Sequence, residues 1–327
     1  MIFSKKNKIN SFFDILTNRG FAILIFSIVN LLHLNISKRI FNKKLIIKKV
    51  NEYKMYLLTS DNGISRSLIL FGKREEDKRY ILDRILNENM NVFDIGANIG
   101  YYTTFFLKRI KKGKVLAIEP SYENLELCQK NIKLNNLNKK NIYFVNAGVS
   151  DVNKKKKFFM SKQSNLHTFN IEGSAKRYLS GELRLIETFT VHNLSKKFFT
   201  PNLIRMDVEG HECQIISGML KYIKKGIFKP YICFEPHLTS YSKNNNFSIT
   251  LTELFKSGYY TNLLSSNAAS GTEKIINLTK IKPLKILNSD GERRAIFENI
   301  KPKDTINILT KLGGARTVLL SPNSRIS

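Results

Sequence analysis

Short apolar runs of the kind that form buried strands recur through the middle of the chain, and segments with helical spacing separate them. The run within Val92–Tyr102 leads into a glycine-containing turn and a helix over Tyr101–Ile110. Lys114–Glu119 is predicted to be a second strand, Ser121 can cap the helix that follows it, and Ile142–Val145 is a third strand. This β-α-β-α-β order with short connections predicts a parallel sheet flanked by helices.

The same alternation continues towards the C-terminus. Leu203–Asp207 is predicted to be a buried strand followed by a helix with one apolar face, and Tyr231–Glu235 is a further strand. Beyond residue 270, the pattern predicts edge strands at Glu292–Ile296 and Ala315–Leu320 around a helix at Asp304–Leu312. We find no internal repeat and no long linker in the sequence, which favours one α/β domain.

Two regions are less regular. Before the first core strand, Tyr53–Thr59 and Ser67–Phe71 have the composition of extended segments, and Glu75–Asn89 has the spacing of an amphipathic helix. Between residues 150 and 200, Lys154–Lys157 is interpreted as a solvated turn. We expect inserted structure in this region to lie over the mouth of the sheet, where a substrate could be selected.

An apolar run near the N-terminus, Phe21–Ile36, lies between two clusters of basic residues. A membrane-spanning helix needs about 20 mostly apolar residues, whereas this run is shorter and contains Asn30, His33 and Asn35. No small-residue cleavage site of a signal peptide follows it. We therefore favour a packed helix over an interfacial helix held by the flanking lysines. The basic residues are Lys5, Lys6 and Lys8 before the run and Lys38, Arg39, Lys43 and Lys44 after it.

The charge of the chain changes this picture only in part. The 327 residues carry a formal net charge of +28 at pH 7, which is compatible with nucleic acid, an anionic membrane or an anionic substrate as a partner. Lys, Asn and Ile are abundant throughout, so we favour a composition bias over a selected partner. Cys128, Cys213 and Cys233 lie far apart, which predicts a cytoplasmic protein with neither a disulfide framework nor a zinc knuckle.

The turn after the first core strand carries the clearest chemistry. Its glycines let backbone N–H groups approach a ligand, and the helix N-terminus adds a partial positive charge. The spacing is Gly-x-x-x-Gly from Gly96 to Gly100, and Asn98 stands where dinucleotide-binding turns have their second glycine. A small site of this kind, without a pyrophosphate, favours S-adenosylmethionine (SAM) over NAD.

Several motifs together resemble the FkbM family of SAM-dependent methyltransferases. They are DIGANIGYYT (Asp94–Thr103), AIEP (Ala117–Pro120), NIKLNNL (Asn131–Leu137), VNAGVSD (Val145–Asp151) and IRMDVEGHE (Ile204–Glu212). The resemblance runs from about residue 64 to about residue 260. It implies an α/β class I methyltransferase fold, with a Rossmann-like, seven-stranded, mostly parallel sheet flanked by helices and an antiparallel last strand. We accordingly predict an N-terminal basic and apolar helical extension over residues 1–50 and an FkbM-type methyltransferase domain over residues 51–327.

The resemblance also implies which residues bind SAM. The methionine part would lie on the turn from Asp94 to Gly100, Glu119 would accept from the ribose hydroxyls, and Asn146 and Ala147 would lie near the adenine. The full predicted set is Asp94, Gly96, Ala97, Asn98, Gly100, Tyr101, Glu119, Pro120, Asn146 and Ala147.

No metal site is predicted. His211-Glu212 begins like a His-Glu-x-x-His zinc motif, but position 215 is Ile. The other four histidines are scattered and are interpreted as surface or core residues rather than ligands. They are His33, His167, His192 and His237.

For the chemistry, Asp207 is the first candidate for orienting the methyl acceptor or removing its proton, with Glu209 and His211 behind it. Asp207 could instead cap the helix that follows. The resemblance implies O-methylation of a hydroxyl on a sugar, a glycan or another secondary metabolite. An RNA methyltransferase that uses the basic surface and a non-catalytic SAM-binding protein are the alternatives. Weak contact with an anionic membrane through residues 1–44 is a further expectation, and would place the protein peripherally at the membrane.

Overall fold

The structure, a computed structural model, describes residues 13–137, 139–171, 174–242 and 245–322, so the predicted basic start at Lys5, Lys6 and Lys8 lies outside the described residues. The strands are β1 Leu45–Val50, β2 Tyr53–Leu58, β3 Val92–Ile95, β4 Val115–Ile118, β5 Ile142–Val145, β6 Gly148–Val149, β7 Lys154–Ser161, β8 Leu179–Phe189, β9 Leu203–Met206, β10 Tyr231–Phe234, β11 Tyr260–Ser266, β12 Lys285–Ser289, β13 Glu292–Ile300 and β14 Ala315–Ser321. The helices are α1 Phe21–Arg39, α2 Ile64–Phe71, α3 Glu76–Asp83, α4 Tyr101–Arg109, α5 Tyr122–Leu134, α6 Val191–Lys197, α7 Glu212–Lys224, α8 Phe247–Lys256, α9 Ala269–Thr279 and α10 Pro302–Asn307.

Five strands form the parallel half of the central sheet, in the order β5-β4-β3-β9-β10. Every residue of β3, β4 and β9 is buried, which explains their near-continuous apolar sequences. Because the strands are parallel, their carboxyl ends lie at one edge of the sheet. That edge collects Asp94, Glu119, Asp207 and Glu235.

The other half of the sheet is antiparallel where β14 lies between β10 and β11, and β13 and β12 continue beyond β11. The predicted class I methyltransferase fold, including its antiparallel last strand, is confirmed. The sheet has nine strands rather than seven because the β12–β13 hairpin extends it. The predictions of edge strands at Glu292–Ile296 and Ala315–Leu320 are wrong, since β13 and β14 each have a neighbour on both sides.

Two other local predictions are also wrong. Ser67–Phe71 lies in helix α2 rather than in an extended segment, and Lys154–Lys157 begins strand β7 rather than forming a turn. Short apolar runs do not distinguish strand from helix by periodicity alone, and α2 is one of these. The lysine run in β7 pairs with β8, which keeps its backbone hydrogen-bonded while its side chains remain mostly solvated.

Smaller elements surround the edge that carries the carboxylates. In the sheet β6-β8-β7, strands β7 and β8 come from the irregular region between residues 150 and 200, and β6 lies directly before it. Its connection from β7 to β8 reaches the glycine turn, where the Asn98 side chain donates to the Ser164 carbonyl at 3.0 Å. The inserted structure therefore lies over the mouth of the sheet.

The N-terminal part of the chain is attached to this domain. Helix α1 packs on α2, and β1 pairs with β2 in an antiparallel hairpin. The predicted boundary at residue 50 falls at the turn of that hairpin, so the extension and the domain share a two-stranded sheet.

Helix α3 is fixed to the antiparallel half of the sheet by a buried ion pair. The Arg294 guanidinium of β13 donates to the Asp77 carboxylate at 2.7 Å, and both side chains are buried. The Ser265 and Ser289 hydroxyls donate to the same carboxylate, at 2.7 and 2.5 Å. All of these charges and dipoles are satisfied, so α3 has a defined position beside the sheet.

Replacing Asp77 with Asn should lower the free energy of unfolding by about 3 kcal/mol, because the guanidinium of Arg294 then stays buried with only the more distant Asp290 carboxylate, at 3.4 Å, as its counter-charge. Chemical denaturation monitored by circular dichroism measures the change. Asp83→Asn is the matched control on the same helix: its ion pair with Arg109 is partly exposed, and the expected change is about 0–1 kcal/mol. Equal effects of the two substitutions would contradict this account of how α3 is held.

Candidate functional site

The glycine turn brings β3 against the end of β9. Gly96 has φ +73°, and a Cβ at this position would lie 2.3 Å from the Asp207 carbonyl oxygen. Only glycine fits such an approach without moving β9. Gly100, with φ +84°, precedes α4 and lies against Cys128 of α5, so the second glycine serves close packing between the two helices.

Asn98 adopts a left-handed conformation, with φ +49°, and its N–H donates to the Glu119 carboxylate at 2.8 Å. The Ser121 N–H donates to the other oxygen of that carboxylate at 2.9 Å. Burial raises the pKa of Glu119 to about 7, although these two hydrogen bonds favour ionisation. Glu119 is therefore a buried acceptor at the end of β4, held by the turn of the neighbouring strand.

Two cavities open at this edge of the sheet. The smaller has a volume of about 50 Å³ and is lined by Glu119, Pro120, Ala147 and neighbouring residues. The larger has a volume of about 250 Å³ and is lined by Tyr101, by Arg316 and by other polar side chains. Both are lined by Gly96, Asn98, Asn165, Asp207 and Glu209, so the two cavities meet at these five residues.

Arg205 fixes the strand ends below the junction. Its guanidinium donates to the Asp94 carboxylate at 3.2 Å, to the Gly96 carbonyl at 3.1 Å and to the Asp207 carboxylate at 3.0 Å. Asp94 and Arg205 are register partners on β3 and β9. Thr103 donates to Asp94 from α4 at 2.7 Å. Asp94 thus stabilises the turn through Arg205 and Thr103 and does not line either cavity.

A buried lysine lies among three carboxylates, next to the hydrogen bonds that Arg205 makes to the strand ends. The Lys78 side chain is 1% exposed, and its ammonium lies 3.0 Å from Glu75, 3.4 Å from Asp207 and 3.1 Å from Glu235. Burial alone would raise the pKa of Asp207, yet Lys78 and Arg205 hold it well below its usual range. Asp207 is therefore an ionised group that accepts a proton poorly.

Glu209 has a different environment, although it lies only two residues further along. It has a left-handed φ of +49°, and burial raises its pKa to about 7, with a further contribution from the nearby negative charge of Asp207. Its carboxylate lies 3.5 Å from Nε2 of His237. The other ring nitrogen, Nδ1, lies 2.8 Å from Glu212, which also accepts from the Tyr241 hydroxyl at 3.2 Å.

Glu212, His237 and Glu209 form a chain that ends at the cavity junction, with a hydrogen bond between His237 and Glu212 and an ion pair between His237 and Glu209. Burial opposes a charged imidazole, but the carboxylates of Glu212 and Glu209 hold the pKa of His237 well above its usual range. The protonated imidazole donates from Nδ1 to Glu212 and directs its Nε2–H towards the Glu209 carboxylate. A carboxylate with a pKa near neutrality, facing an oriented imidazolium, can take up and release a proton.

Of the predicted catalytic residues, the structure brings Asp207 and Glu209 together and places His211 apart from them. His211 lines the smaller cavity only, with Nε2 3.0 Å from the Ser150 hydroxyl and its ring beside Phe169. Burial lowers the pKa of His211 to about 3, so it is neutral.

The predicted cofactor residues also divide by position. Gly96, Ala97, Asn98 and Tyr101 line the larger cavity, and Glu119, Pro120 and Ala147 line the smaller. Asn146 is exposed and donates to the carbonyls of Glu119 and Pro120, both at 2.9 Å. Its side chain therefore joins two strand ends and does not line either cavity.

Sequence reasoning missed several site residues. His237 and His167, interpreted as surface or core residues, line the larger and the smaller cavity respectively. Arg205 left a signal, since a charge inside an otherwise apolar strand needs a buried partner. Lys78 gave no such signal in the sequence, because it is one of several charged residues in a segment with the pattern of an amphipathic helix.

Two groups of three side chains have the spacing of a metal site, namely Glu75, Asp207 and Glu235, and Asp207, Glu209 and His237. The ammonium of Lys78 contacts all three carboxylates of the first group and supplies the positive charge there. In the second group, the neighbouring carboxylates hold the pKa of His237 well above its usual range, so a metal would have to displace a proton from the imidazole. Neither donor set, as it stands, fits a resident metal.

Residues 94–260, just over half of the chain, match the family model of the methyltransferase FkbM domain. Among solved structures, an FkbM methyltransferase from Methylobacillus flagellatus KT is 15% identical, with 58% of this chain and 47% of that chain covered and a TM-score of 0.36. This chain thus spans about half of that protein's length. No curated protein matches the sequence.

Two further solved structures are similar at the same level. TYW2 from M. jannaschii, in complex with AdoMet, is 18% identical, with 79% of this chain and 88% of that chain covered and a TM-score of 0.36. A SAM-dependent O-methyltransferase from Thermotoga maritima is 11% identical, with 76% of this chain and 64% of that chain covered and a TM-score of 0.37. Likenesses this distant carry no information about substrate.

The raised pKa of Glu119 makes stability depend on pH. The folded-state value of about 7 lies above the unfolded value of 4.5, so this group's contribution is fully present below pH 4.5 and is lost as the pH rises through 7. We expect Glu119→Gln to flatten the decline in the free energy of unfolding between pH 5 and pH 8 by about 1–3 kcal/mol. Denaturation curves at several pH values measure it, with the exposed Glu126→Gln on α5 as the control. An unchanged slope in Glu119→Gln would contradict the raised pKa.

Proposed function

Since the chain belongs to the FkbM family of methyltransferases, we propose that it uses SAM to methylate a hydroxyl group on a sugar, a glycan or another secondary metabolite. The observation that supports this proposal most directly is the position of Glu209. It is a largely buried carboxylate with a pKa near neutrality, it lies where the two cavities meet, and an imidazolium orients it. A hydroxyl acceptor needs such a base, because its proton must leave as the new bond forms.

The residues at the strand ends fit SAM as the cofactor. Gly96 packs its backbone directly against the end of β9 and lines both cavities, so the turn can present main-chain groups to a cofactor. Glu119 supplies buried carboxylate oxygens for the ribose hydroxyls. Ala147 and the apolar residues of the smaller cavity would contact the adenine. Asn98 and the start of α4 would face the methionine part.

When bound, SAM supplies an electrophilic methyl group on a sulfonium, and the protein has to align the acceptor and move one proton. Glu209 accepts the proton of the acceptor hydroxyl. Asp207 remains ionised because Lys78 and Arg205 stabilise its charge, and it provides a fixed negative charge at the junction. We therefore place Glu209 ahead of Asp207 as the base.

The network behind Glu209 positions it. Glu212 is completely buried and holds Nδ1 of His237, which leaves Nε2 directed at Glu209. As Glu209 takes up the proton of the acceptor hydroxyl, it becomes neutral, and the imidazolium keeps its charge through the ion pair with Glu212. Glu212 is a positioning residue, since it acts through His237.

The larger cavity suits a hydroxyl-rich acceptor. Arg74, Asn165, His237 and Arg316 line it together with the phenol ring of Tyr101. Side chains that can donate hydrogen bonds, next to an aromatic surface, match the alternating polar and apolar faces of a sugar ring. This complementarity supports the sugar or glycan class over an apolar metabolite.

We expect isothermal titration calorimetry to show SAM binding that tightens as the pH rises from 6 to 8, because the ribose hydroxyls donate to the ionised form of Glu119. Glu119→Ala should weaken binding by at least tenfold and remove the pH dependence. Glu126→Ala, an exposed change on α5, serves as the control and should leave the affinity unchanged. Binding of NAD instead of SAM, or a Glu119→Ala affinity equal to that of the wild type, would contradict the assignment of the cofactor.

For the transfer step, we expect kcat at saturating SAM to rise with pH through about 7 and Glu209→Gln to lower it by about 10²-fold or more. The affinity for SAM should change little in this variant. The assay follows tritium from methyl-labelled SAM into a carbohydrate and small-molecule extract and, separately, into total RNA. Glu187→Gln on β8 is an exposed control.

Label in the carbohydrate or small-molecule fraction that resists mild alkali, as an ether does, supports the proposal. Label in RNA that ribonuclease releases would instead support the RNA methyltransferase. SAM binding without transfer to either fraction would support the non-catalytic alternative. Full activity in Glu209→Gln would return the role of base to Asp207.

A further inference from the structure

Helix α1 directs polar side chains towards the domain and apolar side chains towards solvent, which is the reverse of an ordinary surface helix. The side that faces the domain carries Ser27, Asn30 and Ser37 together with two leucines, and all five are buried. The opposite side carries an apolar stripe, in which Phe21 is 69%, Val29 59% and Leu32 57% exposed. The other members of the stripe are Ile25, Ile28 and Ile36. A helix that only covered a soluble core would show the reverse arrangement.

The polar inner side is held by specific hydrogen bonds. The Asn30 amide donates to the Leu70 carbonyl of α2 at 3.4 Å and accepts from the Lys48 ammonium of β1 at 2.5 Å. Ser27 donates to the Leu24 carbonyl within the helix at 2.8 Å. Rotating α1 to bury its apolar stripe would leave Asn30 and Lys48 without these partners. The orientation with the apolar stripe outwards is therefore built into the contact between α1 and the domain.

The apolar surface continues beyond the helix. Ile40 and Phe41, directly after α1, are 71% and 63% exposed, and Ile47 of β1 is also exposed. Exposed large apolar side chains gathered along one helix and the residues directly after it are typical of an interaction site. We call the stripe of α1 together with Ile40, Phe41 and Ile47 the outer face.

The charges around the outer face indicate what covers it. From residue 15 to residue 51 the sequence contains no Asp or Glu, and its basic residues are Arg19, Lys38, Arg39, Lys43, Lys44, Lys48 and Lys49. Lys38, Arg39, Lys43 and Lys44 are exposed at the carboxyl end of the helix. These four basic side chains make no ion pair within the described part of the chain. Apolar side chains next to such basic ones match the acyl chains and anionic headgroups of a phospholipid surface. A second copy of this chain would bring the same positive charge against itself.

We propose that the outer face docks the protein on an anionic phospholipid bilayer, with α1 lying in the plane of the interface. The helix is long and apolar enough to cross a membrane by length and composition. Its inner side, however, contacts α2 and β1 of the folded domain, so crossing would require it to leave these contacts. Lying flat buries the apolar stripe about 5–10 Å into the boundary of headgroups and acyl chains and keeps the domain in water.

The experiment is flotation of the full chain with vesicles of phosphatidylcholine alone or with 30 mol% phosphatidylglycerol. We expect binding to the anionic vesicles that weakens at high salt, and at least tenfold weaker binding by Val29→Asp/Leu32→Asp, whose side chains point away from the domain. Ile249→Asp is the matched control, since Ile249 is equally exposed at 62% but lies on α8. Thermal unfolding of each variant checks that the domain is intact.

Other results would overturn the proposal. A dimer in sedimentation that Val29→Asp/Leu32→Asp dissociates, without vesicle binding by the wild type, would assign the outer face to a second copy. Binding that survives this double substitution but disappears when residues 1–12 are removed would assign docking to the segment before the helix. Protein that resists extraction by alkaline carbonate from the membranes of expressing cells would mean that α1 crosses the bilayer.

Discussion

Three carboxylates at the carboxyl ends of the central strands, those of Asp94, Asp207 and Glu235, are largely shielded from water, and each needs an opposite charge within hydrogen-bond distance. Arg205 meets this need for Asp94 and Asp207 and at the same time binds the Gly96 carbonyl. Lys78, on helix α3, supplies the positive charge for Glu235 and also for Glu75. The buried ion pair between Asp77 and Arg294 holds α3 against the antiparallel half of the sheet. The glycine turn, the end of β9 and α3 thus depend on one connected set of charges.

Carboxylates that lie close together in the same low-polarity environment have different pKa values. Glu119 and Glu209 lack a lysine or arginine partner among the described residues, and burial raises the pKa of both to about 7. Asp207 has two cationic partners, and its pKa falls. Three acidic residues at one sheet edge therefore provide a hydrogen-bond acceptor, a proton acceptor and a permanent negative charge.

The part of this arrangement that local sequence patterns determine could be predicted. The strands that end at Asp94, Glu119 and Asp207, the turn at Gly96 and the parallel order of the first strands all follow from short runs of neighbouring residues. The partners of the carboxylates could not be predicted, since Glu75, Lys78 and Arg316 come from distant parts of the chain and meet only through the sheet topology. The central place of β14 is likewise non-local. For α1, the pattern predicted a helix with flanking charges but not which side faces the domain, and that side is decided by Asn30 and Lys48.

The polar contact between α1 and the domain also affects how the protein opens. Of its apolar side chains, the helix fully buries only Leu24 and Leu34, and segments with few buried apolar contacts open more easily than the core. We therefore expect the helix to open as a local unit while the central sheet stays folded. Amide hydrogens of α1 would then exchange with solvent far sooner than those of β3 or β9, and proteases would find their first accessible sites at this helix.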